Sequence, residues 1–205
     1  MATVAVSLVR AVVDELDRRS MDASSMLVAA GIDPNVLDDA NARVPLPSYD
    51  RLQRDALGRS ADPAFGLVMG EHASLSAFSV LGHMASQART IGEAIELGLR
   101  YYRVVADIAA APTLIGLGDA VFFHYEYLRC EDAELDRLRS EFGLVRLLSI
   151  ARLLLGEDAS PTETWFEHAP PPYAADYGRV FRGTERFGKE RTGFVVPLDL
   201  LMRTQ

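Results

Sequence analysis

Four histidines (His72, His83, His124 and His168), one cysteine (Cys130) and the carboxylates Glu126, Glu131, Asp132 and Glu134 are the side chains best suited to hold a metal or move a proton. A helical metal site asks for two histidines at i, i+4 spacing, and no two of the four have it. Haem held through one axial histidine stays open, with His83 best placed between Leu81 and Met84. A half-buried imidazole bonded to backbone explains that residue more simply. Nucleophilic catalysis by serine would want Gly-x-Ser-x-Gly at a strand-to-helix elbow, and the chain has none. Phosphate-cradling loops of either glycine-rich type are absent too. The four carboxylates fall where a strand ends and a helix begins, a place where the helix dipole favours solvated negative charge. Cys130 has no Cys-x-x-Cys partner, which rules out an internal disulfide framework and suits a reducing cytoplasm. No catalytic residue, metal or cofactor is expected.

What remains is aromatic. Tyr101 and Tyr102 close one helical stretch, Phe122, Phe123, Tyr125 and Tyr127 fill "AVFFHYEYL", and Trp165 and Phe166 sit in "TETWFEHA". Such residues form filled cores, but buried phenol and indole groups also need polar partners. Filled core is the commoner outcome, and an apolar cavity with a few polar tips is physically reasonable beside it. His83, Tyr101, Tyr102, Phe123, Tyr125 and Trp165 are the candidate ligand-binding positions, between a helical layer and one face of a sheet.

The elements that must position these residues follow from periodicity. Val9, Val12, Val13 and Leu16 predict an amphipathic helix over residues 4–19. A short helix in "SSMLVAAG" follows, capped by Asp22 or Ser24 and stopped at Gly31. "IDPNVLDDANARVPLP" is turn-rich and leads into a helix from about Ser48 to Gly58. "AFGLVMGEH", "SAFSVLGHMASQA" and "TIGEAIELGLRYYRVVAD" each predict another, the last with a capping box from Thr90 and Glu93. The period then shortens to two. Val121–Leu128 predicts a strand, paired as a hairpin with "TLIGL" across Gly118-Asp119. Residues 132–155 predict the longest helix, with Leu135, Leu138, Phe142, Val145 and Leu148 packing it on the sheet. A third strand in "TETWFEHA", a proline-started helix in "PPPYAADYGRVF" and short closing strands in "TERFGKERTGFVVP" complete the pattern. The class is α+β: a helical first half packed with a small antiparallel sheet and a long helix in the second half.

The bulk properties agree with a globular chain of ordinary composition, 205 residues long with 49% hydrophobic residues. Its net charge of −8 excludes a nucleic-acid-binding face, which would be basic. "GLVRLLSIARLLLG" is too short and too charged to span a bilayer, and the N-terminus lacks the basic region of a signal peptide. A cytoplasmic location without membrane contact is expected.

The order "DPAFGLVMGEH", "LGHMASQARTIGEAIELGLRYYRVV", the strand and long helix ending "RLLLG", "TETWFEHAPPP" and "YGRVFRGTERFGKERTGFVVPLDLL" resembles the arabinose-binding-type N-terminal domain of AraC/XylS transcription regulators. The likeness runs from about residue 4 to 201. It implies one effector-binding or dimerisation domain over residues 1–205, with the family's C-terminal helix-turn-helix DNA-binding domain outside the chain. It also implies a small-molecule effector, DNA contact only through the absent domain, and no enzyme activity; a homodimer is left open. With two Asn and three Gln in the whole chain, a mainly apolar effector is expected over a sugar. A haem-type gas sensor, a purely dimerising module and an α+β enzyme are the alternatives.

Overall fold

The first apolar spacing does build a helix, but its opening residues are recruited elsewhere. Thr3–Ala5 form strand β1, paired antiparallel with β2 (Arg43–Pro45) so that Val4 lies opposite Val44. Both valines are buried, and that burial outweighs the local helical pattern. Helix α1 (Val6–Arg18) follows and buries Val9, Val12, Val13 and Leu16. Asp22 caps α2 (Ala23–Ala29) by accepting from the Ser25 amide at 3.0 Å, and Gly31 takes the left-handed conformation at φ +75°. A 3-10 turn over Pro34–Asp38 leads to β2, then to α3 (Leu46–Ser60) and α4 (Phe65–His72).

The computed structural model describes residues 2–72, 87–90, 92–97, 100, 112–156 and 158–201. The helix expected in "SAFSVLGHMASQA", most of the one expected from Thr90 onward, and His83, Tyr101 and Tyr102 lie outside these residues. Residues 92–97 are helical. Thr90 caps them by accepting from the Glu93 amide at 3.2 Å, while the Glu93 carboxylate reaches back to the Arg89 amide at 2.8 Å.

The second half holds a five-stranded sheet in the order β3-β4-β7-β5-β6. Strands β3 (Thr113–Leu117) and β4 (Ala120–His124) form the expected hairpin, with Gly118 at φ +74° in its turn. β4 is shorter than the alternation suggested, because the chain leaves the sheet after the Tyr125 amide bonds Thr192 O at 2.9 Å. Helix α5 (Ala133–Leu155) is capped by Asp132. Strand β5 (Glu163–Trp165), helix α6 (Ala175–Phe181) and strand β6 (Thr184–Arg186) form a crossover, so β5 and β6 pair in parallel within an otherwise antiparallel sheet. The apolar cluster near Gly193 becomes β7 (Gly193–Pro197), the middle strand, followed by the short helix α7 (Leu198–Leu201).

All five expected stripe residues of α5 are buried, from Leu135 at 1% exposure to Phe142 at 5%. The stripe does not pack on the sheet along its length, however. Leu138 and Phe142 join the cluster of α1, α2 and α3, whereas Val145 and Leu148 join the cluster under the sheet. One helix thus serves both halves. Helix α4 lies close along it because Gly66 and Gly70 face it: a β-carbon there would come within 2.7 Å of Leu138 O and 2.6 Å of Val145 Cβ.

Candidate functional site

Strand pairing assigns each sheet residue to a face, since directly opposed residues point the same way. Phe123 lies opposite Phe194, and Phe194 opposite Thr164. This face meets α5: Phe123, Tyr125, Phe194 and Val196 pack with Leu144, Val145 and Leu148. The other face carries Phe122, His124, Glu163 and Trp165. There Trp165 stands 4.8 Å from the Phe122 ring, its indole N–H donates to Glu163 at 2.6 Å, and the Lys189 ammonium sits 4.5 Å above its ring. The structure brings Phe123 and Tyr125 together and puts Trp165 on the opposite side of the sheet.

Tyr125 sits where β4 runs out of the sheet and crosses α5. Its ring lies against Gly143, and any side chain at that position would collide with the phenol. The ring also stacks with Tyr127 at 5.9 Å. Its half-buried phenol thus presents an aromatic surface with a polar tip at the margin of the cluster under the sheet. Around it α3 and α5 contribute buried polar groups. Arg139, 5% exposed, donates to Gln53 Oε1 at 2.8 Å and to Asp50, and Gln53 donates to the Tyr49 hydroxyl at 3.0 Å. Burial pushes the Tyr49 phenol up to about 12, against the opposing pull of Arg139 and Arg146, so it stays neutral. Arg146, 4% exposed, lies 5.5 Å over the Phe142 ring.

A second buried polar group lies on the same helix. Glu141 is fully buried and receives the hydroxyls of Tyr173, at 2.7 Å, and Tyr177 on a single oxygen, Oε1. Sequence reasoning missed Glu141, Arg139 and Arg146. The one signal available was their place inside the apolar stretch "RSEFGLVRLL", where a solvated charge is out of keeping with its neighbours. Among the described residues no group of three His, Cys, Asp or Glu could hold a metal, and no helix is long and apolar enough to cross a membrane.

This arrangement of helices over one face of a mixed sheet, with an aromatic strand end, can now be set beside known proteins. The sequence profile of the N-terminal arabinose-binding domain of AraC transcription regulators matches residues 21–205. The chain belongs to that family. An ornithine utilization regulator of Pseudomonas aeruginosa is 28% identical over 200 residues, covering 98% of this chain and 58% of the relative. The crystal structure of the transcriptional regulator CdpR from Pseudomonas aeruginosa shares the fold at a TM-score of 0.64 and 19% identity, over 95% of this chain and 56% of that one. The chain spans a little over half the length of each of these two proteins.

Proposed function

We propose that this chain is the sensing part of an AraC-type regulator. A small, mainly apolar effector binds between the sheet and its helices and alters how a DNA-binding segment outside these 205 residues engages its operator. The family match over residues 21–205 carries this reading. The half-buried pair Phe123 and Tyr125 on the α5 side supports the placement, with His83, Tyr101 and Tyr102 as further candidates by chemistry. The net charge of −8 supports the view that residues 1–205 alone leave DNA unread. A regulator of this kind works in the cytoplasm, with residues 1–205 as its effector-binding or dimerisation domain.

Similarity to an ornithine utilization regulator favours a second reading, an effector of amino-acid type. Calorimetric titration of residues 1–205 with long-chain acids, aromatic compounds and basic amino acids separates the two. Saturable binding of an apolar compound, weakened about tenfold in Tyr125→Leu, is the expected result. Saturation by a basic amino acid alone would replace the apolar reading with the second. A full panel without any binding would favour a module that only dimerises. Sequence-dependent DNA binding by residues 1–205 in a low-salt shift assay would overturn the division of labour.

A further inference from the structure

We propose that Glu141 is a proton-binding switch: a neutral carboxylic acid that ties α4, α5 and α6 together, and whose ionisation loosens that junction. This inference stands apart from the identity of the effector. The argument begins with what surrounds the carboxyl. Its side chain is completely buried, so an ionised form must be compensated by charge or by several donors. The compensation is thin. Two neutral phenols, Tyr173 and Tyr177, both donate to Oε1. The other oxygen, Oε2, has no hydrogen-bond partner among the described residues. It lies beside Gly66 of α4, whose missing side chain leaves it room but no donor. A buried carboxylate oxygen without a donor carries a desolvation cost that protonation of the group relieves.

The charged and titratable groups facing Glu141 from each element are few among the described residues. On α5, Arg137 Nε lies 3.7 Å from Oε1 but donates to the Tyr173 hydroxyl at 2.9 Å. The turn before α4 offers Asp62, which opposes ionisation and is itself paired with Arg19 at 2.8 Å. From the α6 side come Tyr173 and Tyr177, both phenols held above their ordinary range first by burial and then by Glu141. The His168 ring lies 6.2 Å from that of Tyr177, tilted by 59°, and burial lowers its pKa, so it adds no fixed cation. Burial raises the Glu141 carboxyl from 4.5 to about 7, and the two phenol hydrogen bonds and Arg137 only partly oppose it. The folded chain therefore holds this proton across a range where the unfolded chain has released it. The resulting stability is fully present below the unfolded value of 4.5 and is lost as pH rises through about 7. Two residues further along the same helix, Gly143 supports Tyr125. Loosening α5 at Glu141 is thus felt at the aromatic wall.

The test uses residues 1–205 and two readouts. Infrared difference spectra between about pH 5 and pH 8 should show a protonated-carboxyl band that disappears in Glu141→Gln. The thermal unfolding midpoint of the parent should fall by roughly 5–10 °C more over that range than that of Glu141→Gln. Should Glu141→Gln not fold, Tyr177→Phe removes one donor to the carboxylate without releasing Arg137 from Tyr173, and must move the transition to higher pH. A band that survives in Glu141→Gln, parallel stability profiles, or an unmoved transition in Tyr177→Phe would each overturn the proposal.

Discussion

The two halves of the domain are held together by different kinds of core. In the helical half, α1, α2 and α3 enclose an aliphatic cluster in which Val9, Val12, Leu16, Ala30, Leu52 and Ala56 are entirely inaccessible. Its buried polar groups are paired: Glu15 with Arg19 at 2.6 Å and His72 at 2.7 Å, Gln53 with both Tyr49 and Arg139. Beneath the sheet the cluster is aromatic. Phe166 meets Tyr177 edge-on at 4.9 Å and stacks on Phe187 at 5.4 Å, while Phe123, Tyr125 and Tyr173 remain half-buried at its margin. Among the described residues, Glu141 Oε2, Thr164 Oγ1 and His168 Nε2 are buried there without hydrogen-bond partners. The contrast teaches where the molecule can respond. Satisfied aliphatic packing has one good arrangement, whereas rings and unpaired polar atoms can gain partners when a ligand or proton arrives.

The largest expected effect lies where the two cores share a helix. Phe142→Ala should cost about 3–5 kcal/mol in a denaturant titration; a loss below roughly 1 kcal/mol would mean the clusters are not joined there. Arg139→Ala should cost about 2 kcal/mol by stranding Gln53 and Asp50, measured by the same titration, with effector affinity in the surviving fold unchanged. Tyr125→Leu should weaken effector binding about tenfold, about 1.4 kcal/mol, while Trp165→Leu leaves it intact because the indole faces the other side of the sheet. Equal losses in both variants would move the ligand away from the α5 face. The smallest change is expected at the exposed pair of Arg179 with Glu71, 2.7 Å and 2.9 Å apart. Arg179→Ala should cost less than about 1 kcal/mol and less still in high salt.

Local patterns were readable wherever the contact that stabilises an element lies within it. The valines and leucine of α1, the Gly118-Asp119 hairpin and the buried stripe of α5 all follow from spacing a few residues long. Pairings across the chain were not. β1 reads as helix because Val44, its partner, lies 40 residues from Val4, and the parallel pairing of β5 with β6 depends on where α6 docks. The candidate site was legible in part for the same reason. Alternation says that Phe123 and Tyr125 share a face, but it cannot say which face of β5 lies beside them, so Trp165 could not be placed. Nor can residue type reveal that Glu141 is buried, since the same helix exposes Glu134.

The position of β7 has a consequence for how the chain is made. It pairs with β4 on one side and β5 on the other, yet it is the last of the five described strands of this sheet to be synthesised. Until residues 193–197 emerge, the β3–β4 hairpin and the β5–β6 pair have no backbone bond to one another, and each presents an open edge. The sheet therefore closes only after synthesis of these residues, in a step of long sequence separation. A nascent chain paused before Gly193 carries two sticky edges in the meantime. The interval before residues 193–197 emerge is then one in which this domain is exposed to aggregation.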